Sequence, residues 1–82
     1  GSAFGALGGI ASAAITKSDR RRKENLKEIG ELPSGIKIYS YNFIGETHRE
    51  IGVIAQEVMP VLPDAVSVGE DGYYRVNYEL LR

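Results

Sequence analysis

A serine and a lysine, Ser18 and Lys23, are the residues of this 82-residue chain whose types and spacing point most directly to chemistry. A lysine without its proton can take the proton of a nearby serine hydroxyl, and the serine oxygen can then attack a carbonyl carbon. Ser18 follows a leader, residues 1–17, that is rich in small residues. The arrangement therefore suggests a chain that cuts its own backbone at the Lys17–Ser18 bond.

The spacing of this pair allows a dyad but does not require one. Five residues of an ideal α-helix turn through about 500°, which leaves the two side chains roughly 140° apart. The groups meet only if Ser18 lies before the helix, extended or capping, and Lys23 reaches back toward its N-terminus. On spacing alone, a charged first turn with Ser18 as an ordinary cap is the simpler interpretation.

A lysine base must be neutral, although its reference pKa is about 10.4. Burial and nearby cations both lower the pKa of a lysine. Residues 20–22 are arginines, and the positive end of a helix would add to their effect. Asp19 and Glu24 act in the opposite direction, so the sequence leaves the direction of the pKa shift open.

Composition excludes several classes of protein. The formal net charge of −1 argues against a nucleic-acid binder, so a basic patch at residues 20–23 is a minor alternative. There is no cysteine, and the single histidine, His48, lies in a polar stretch, so we expect neither a metal site nor a cofactor. A domain this small is marginal alone, and without disulfides or a metal, oligomerisation is the remaining common remedy.

Residues 1–17 are predicted to be a flexible leader, and residues 18–82 the folded domain, because charge begins abruptly at Lys17. Gly1-Ser2 resembles a cloning scar. The small apolar run up to Ile15 is shorter than the roughly 20 residues that a membrane span needs. Its composition favours a linker or packing arm, with a membrane-active or helix-packing segment as the alternative.

The residue pattern predicts an α+β fold that begins with a short helix. Ser18 or Asp19 would cap this helix, which would run from about Arg21 to Ile29. Leu26 and Ile29 would share its apolar face, and Gly30 would end it.

A small, mostly antiparallel sheet is expected after this helix. Alternating residues over 36–43 predict a strand, and residues 51–54 a second, shorter one. Residues 55–59 favour a short helix. The clearest prediction is a C-terminal hairpin, in which a glycine-bounded turn joins residues 65–68 to residues 73–76. Asn77 would cap a final helix that begins at Tyr78.

Several short motifs follow one another in a fixed order from Ser18 to Leu81. The first is Ser18-Asp19, followed by Arg21, Lys23 and Asn25-Leu26. The others are Ile51-Gly-Val-Ile-Ala-Gln-Glu-Val58, Pro63-Asp-Ala-Val66, Asp71-Gly-Tyr73 and Val76-Asn-Tyr78. In this order they resemble the endosialidase-type intramolecular chaperone domain, found at the C-terminus of phage tailspikes, tail fibres and related trimeric proteins.

The resemblance implies a function. Such a domain forms a homotrimer, helps the upstream part of the same polypeptide to fold, and then releases itself by autoproteolysis. The protein would belong to the phage virion tail, with its precursor assembled in the host cytoplasm. It further implies that Ser18 is the nucleophile, that Lys23 is the general base, and that the Lys17–Ser18 bond is cut.

The resemblance also bears on neighbouring residues. Asp19, Asn25 and Glu57 fall on motif positions and are candidate supporting residues. Arg22 departs from the family's usual leucine, which bears on the packing that would desolvate Lys23.

The alternative function is a non-catalytic trimerisation module in which Ser18 only caps a helix. Three tyrosines are expected to fill the hairpin face or a trimer contact rather than bind a ligand: Tyr73, Tyr74 and Tyr78.

Overall fold

Two three-stranded antiparallel sheets form the frame of the protein in the computed structural model, which describes residues 15–81. The first sheet has the order β1–β6–β5 and contains β1 (Ile15–Lys17), β5 (Val66–Val68) and β6 (Tyr74–Asn77). The second has the order β2–β3–β4 and contains β2 (Lys23–Glu31), β3 (Lys37–Phe43) and β4 (Glu50–Gly52).

The helical elements are short. Within residues 15–81, the α-helix α1 spans Ala55–Val58, and 3-10 turns span Arg20–Arg22, Pro63–Ala65 and Tyr78–Leu81. The fold is thus mostly β, in rough agreement with the predicted α+β class. Among residues 15–81, no helix is long and apolar enough to cross a membrane.

Several predicted elements are confirmed. β3 occupies nearly all of the alternating stretch, α1 falls within the predicted short helix, and β5 pairs with β6 as the hairpin. Gly72 in its turn has a φ of 83°, a conformation that residues with a Cβ rarely adopt. Asn77 caps the last turn, since its Oδ1 accepts a hydrogen bond from Glu79 N at 3.1 Å.

The predicted helix from Arg21 to Ile29 is wrong. Only Arg20–Arg22 is helical, and the chain continues as β2, which pairs with β3. Two irregularities interrupt this pairing, and Asn25 at the first has a φ of 56°. These irregularities break the two-residue alternation of a regular strand, so the local pattern resembled a helix. Backbone bonds to β3 outweigh that weak local preference.

The apolar core joins both sheets to the C-terminal turn. Its fully buried members include Val53, which follows β4, and Val58 of α1. Val76 of β6 and Tyr78 of the last turn belong to the same cluster. The segment between β4 and α1 is therefore held against the C-terminal end of the domain.

Part of the predicted leader is ordered as β1. Ile15, Thr16 and Lys17 pair with β6 in antiparallel register, with Lys17 opposite Arg75. The rest of the predicted leader, residues 1–14, lies outside the described residues.

Candidate active site

The 3-10 turn Arg20–Arg22 separates Ser18 from Lys23. Its cap is Asp19, whose Oδ1 accepts a hydrogen bond from Arg21 N at 2.9 Å. Ser18 lies just before this cap, and Lys23 leaves the turn in an extended conformation with φ −116° and ψ 146°. Ser18 therefore lies outside the turn, as a dyad requires, and the capping role belongs to its neighbour.

Three separate segments hold Ser18, which is completely buried. Its amide donates to Tyr74 O at 3.2 Å, and its carbonyl accepts from Ala55 N at 2.8 Å. Its Oγ lies 3.2 Å from the hydroxyl of Tyr78, a residue 60 positions further along the chain. The serine is thus fixed by β6, by the start of α1 and by the C-terminal turn.

Lys23 is a buried amine with few polar partners. The residue is only 5 % exposed, and its Nζ donates a hydrogen bond to Val53 O at 2.6 Å. Nζ also lies 4.0 Å from the centre of the Tyr41 ring, a cation–π distance. Burial lowers the pKa of Lys23 to about 7, while the charge of Asp19 opposes this shift. Burial therefore decides the direction that the sequence left open.

Ser18 and Lys23 are connected through one backbone segment. Val53 N donates to the Tyr78 hydroxyl at 3.1 Å, and Val53 O accepts from Lys23 Nζ. The Tyr78 hydroxyl in turn contacts Ser18 Oγ. Among the described residues, the hydrogen bond of Ser18 Oγ is with Tyr78 rather than with the lysine.

Tyr78 is the member of this site that sequence reasoning did not assign. We expected it to fill the hairpin face or an interface, whereas it is 6 % exposed and contacts the candidate nucleophile. The Val-Asn-Tyr motif marked its position, but its contact to Ser18 depends on the packing of β6 beside β1. Sequence reasoning did not assign Gly52 to the site either. A Cβ at this position would overlap the Tyr78 hydroxyl, so the glycine leaves room for it.

Asp19 anchors the turn between the two candidate catalytic residues. Its carboxylate is 1 % exposed and accepts from the Arg21 backbone and guanidinium, from Gln56 Nε2 and from Tyr74 N. The Arg21 guanidinium is the main cause that holds the pKa of Asp19 well below its usual range. A charged carboxylate with this many donors fixes the direction in which the chain leaves Ser18.

The other candidate supporting residues lie in neighbouring networks. Asn25 Nδ2 donates to Asn42 Oδ1 at 2.8 Å. Glu57 accepts from the Tyr39 hydroxyl at 3.0 Å and pairs with Arg20 at 3.8 Å. Within the part of the chain that the structure describes, neither side chain is hydrogen-bonded to the candidate dyad. Arg22, which replaces the leucine of the resembling pattern, is exposed and its guanidinium lies 4.8 Å from the Tyr73 ring centre.

Lys17 is exposed at the outer strand of the first sheet. The bond from Ser18 N to Tyr74 O makes Ser18 and Tyr74 a hydrogen-bonded position of the antiparallel ladder. Because such positions alternate, Lys17 opposite Arg75 is a non-hydrogen-bonded position. The Lys17 carbonyl is therefore directed away from β6 and is not used by the ladder.

His48 lies at the surface, away from this network. Its Nε2 is 3.0 Å from Glu50 Oε2, and its side chain is 62 % exposed. Among residues 15–81, no group of three or more histidine, cysteine or acidic side chains is arranged to hold a metal ion.

Comparison with known proteins identifies one family. The model of the family described as chaperone of endosialidase matches residues 18–67, which is more than half of the chain. No curated protein and no solved structure matches the chain. The matched segment begins at Ser18 and ends within β5, before β6 and the turn that carries Tyr78.

Proposed function

Because this chain belongs to the chaperone of endosialidase family, we propose that it assists trimer assembly of an upstream phage tail protein and then cuts itself between Lys17 and Ser18. Family membership supports an intramolecular chaperone role and a phage tail context. We propose accordingly that the mature protein belongs to the virion tail and that its precursor assembles in the host cytoplasm.

The observation that carries the cleavage proposal is the burial of a serine and a lysine at the two ends of one anchored turn. Burial lowers the pKa of Lys23 to about 7, so a large share of this lysine is neutral at physiological pH. An exposed lysine would be neutral in only about one molecule in a thousand under the same conditions. The anchored turn also supports this role, because Asp19 performs the capping that Ser18 would otherwise provide.

The proposed reaction begins when neutral Lys23 takes the proton of Ser18 Oγ. For this step Nζ must move from the Val53 carbonyl to the serine oxygen. Oγ bonds to the carbonyl carbon of Lys17, and the carbon–nitrogen bond to Ser18 then breaks. The departing Ser18 amine receives the proton from Lys23, which leaves an ester between the Lys17 acyl group and Ser18 Oγ.

Water completes the cleavage. It adds to the ester carbonyl, the Lys17 carboxylate forms, and Ser18 Oγ regains a proton. The products are a chain that ends at Lys17 and a chain that begins at Ser18. The carbonyl under attack points away from β6, so no hydrogen bond of the β1–β6 ladder has to break before the attack.

The trimer part of the proposal is supported by the surface of the domain. Among residues 15–81, six large apolar side chains are between 46 % and 63 % exposed: Ile15, Ile29, Ile44, Val61, Val68 and Leu80. A domain of this size gains stability when such surface is buried between chains. Light scattering of the intact protein should give about three times the 9.0 kDa mass of one chain, and a single-chain mass at micromolar concentration would refute the trimer.

The cleavage proposal can be tested by expressing the domain with its upstream partner and weighing the products under denaturing conditions. Wild type should give two fragments separated at Lys17–Ser18, whereas Ser18→Ala and Lys23→Ala should stay intact. Ser67→Ala and Lys27→Ala are matched controls, because both residues are exposed on strands. An intact wild-type chain in a fully assembled trimer would refute self-cleavage and leave the chaperone role standing.

The pH dependence of cleavage tests the role of Lys23. With a pKa of about 7, the neutral fraction rises from about a tenth at pH 6 to about nine tenths at pH 8. The rate should therefore rise about tenfold over this range and then level off. A lysine with an ordinary pKa would give a continuous rise of about a hundredfold. Lys23→Arg, which keeps the charge but cannot lose its proton, should be inactive at every pH.

A further inference from the structure

The hydroxyl of Tyr78 has one hydrogen to donate, and it lies beside the oxygen of the candidate nucleophile. Tyr78 is buried, and its oxygen already accepts the hydrogen bond from Val53 N at 3.1 Å. Within the described residues, the acceptor that remains in reach is Ser18 Oγ at 3.2 Å. Either hydroxyl can be the donor of this bond in the resting protein. Once a base has taken the serine hydrogen, Oγ can only accept, so in the reacting state the tyrosine is the donor.

This direction has a consequence for Ser18. When Lys23 takes the hydrogen of Oγ, the Tyr78 hydroxyl is within reach to donate its own hydrogen to that oxygen. A donor to Oγ also stabilises the negative charge that develops there when the proton leaves. Burial raises the pKa of Tyr78, which keeps the phenol protonated and able to donate.

The surrounding residues hold the hydroxyl in this position. Gly52 leaves room for it, since any side chain at that position would overlap it. Asn77 caps the turn that begins at Tyr78, through its bond to Glu79 N. Tyr78 also belongs to the apolar core, so its ring is fixed by packing as well.

We propose that Tyr78 is a further catalytic residue of this chain, which donates a hydrogen bond to Ser18 Oγ and thereby prepares the serine for deprotonation. The inference rests on the proposed self-cleavage. It goes beyond the family match, which ends at residue 67. It also means that Ser18, near the start of the domain, has this hydrogen bond only after the C-terminal turn has packed beside it. Tyr78 in that turn lies 60 residues further along the chain.

The test compares cleavage of Tyr78→Phe with wild type across pH. We expect the plateau rate to fall roughly 10- to 100-fold, the loss of one hydrogen bond to a charged group, while the midpoint of the pH profile stays unchanged. Tyr73→Phe is the matched control, because it removes the same hydroxyl from a half-buried tyrosine, and the hydrogen bonds that link Ser18, Tyr78 and Lys23 do not include Tyr73. It should cleave like wild type.

The outcomes separate the two proposals. If wild type cleaves and Tyr78→Phe cleaves at the same rate, the role of Tyr78 is overturned and the self-cleavage proposal stands. An upward shift of the pH midpoint would also overturn it, because water admitted to Lys23 by looser packing raises the lysine pKa. A wild-type chain that never cleaves would overturn both proposals.

A second variant covers the case in which Tyr78→Phe does not fold. Incorporation of a monofluorinated tyrosine at position 78 keeps the ring and the hydroxyl but makes the hydroxyl a stronger donor. We expect faster cleavage at neutral pH with an unchanged melting temperature. A rate equal to that of wild type would count against the proposed hydrogen bond.

Discussion

The burial of Lys23 predicts a specific pH dependence of stability that can be measured without any cleavage. Its pKa is about 7 in the folded protein and about 10.4 in an unfolded chain. Between these values the unfolded chain carries a proton on this lysine that the folded protein lacks. Since stability rises with pH wherever the unfolded state binds more protons, the folded protein gains stability from pH 7 upward.

The size of this gain follows from the two pKa values. Between pH 7 and pH 9, Lys23 should add about 2 kcal/mol to the free energy of unfolding. The full effect up to the unfolded pKa is larger, but other lysines and the tyrosines titrate in that range. A comparison with Lys23→Met removes these other groups, because they contribute equally to both proteins.

The assay is urea unfolding followed by circular dichroism at pH 7, 8 and 9. Both proteins carry Ser18→Ala, which keeps the chain intact and removes no cause of the Lys23 shift. The free energy of unfolding should rise with pH in the protein that keeps Lys23, relative to the methionine variant. Lys27→Met, an exposed change on the same strand, should leave the pH dependence as it is.

A difference between the two proteins that stays constant within about 0.5 kcal/mol from pH 7 to 9 would refute the reasoning. It would mean that Lys23 keeps its proton in the folded protein despite its burial. The proposed base would then lack the neutral form that the cleavage reaction requires. A constant offset by itself is expected, because methionine leaves the Val53 carbonyl without its donor.

Two further predictions follow from the groups around the dyad. Asp19→Asn should lower the free energy of unfolding at pH 7 by about 2–3 kcal/mol, since an amide cannot accept from all the donors around the carboxylate. Because the pKa of Asp19 lies far below its usual range in the folded protein, wild type should lose this advantage as pH falls below about 4. Urea unfolding that gives the same stability difference between wild type and Asp19→Asn at pH 7 and at pH 3 would contradict this prediction. Gly52→Ala should slow cleavage by displacing the Tyr78 hydroxyl and cost about 1–3 kcal/mol in urea unfolding. Gly30→Ala is its control, because a Cβ there meets only Ile38 Cδ1 at an ordinary 3.9 Å, and equal cleavage rates in the two variants would count against the displacement.

Elements with strong local signals were predictable from the sequence. Regular alternation predicted β3, and glycines at both ends of a short turn predicted the β5–β6 hairpin. The Asn77 cap was also visible, because its side chain acts on a backbone amide two residues away. In each case the determining contacts lie within a few residues of one another.

Elements whose conformation depends on distant contacts were not predictable. β2 has charged residues, two irregular pairings and a left-handed Asn25, and its strand form depends on bonds to β3. The burial of Lys23 and the contact of Tyr78 with Ser18 likewise depend on how the two sheets meet. The sequence could identify the residue types for the chemistry, but the environment that changes the lysine pKa arises only in the folded chain.

The pairing of β1 with β6 separates bond cleavage from departure of the upstream chain. Once the Lys17–Ser18 bond is broken, Ile15–Lys17 would still be held by its three-residue ladder with β6. The new amino group at Ser18 would begin in a buried position beside Tyr74 O. Dissociation then has its own rate, set by rupture of a short strand pair rather than by acyl transfer. If the proposed cleavage occurs, the cut protein would therefore migrate as one particle under native conditions, and the lifetime of that nicked complex would set how long the domain stays bound to the upstream chain.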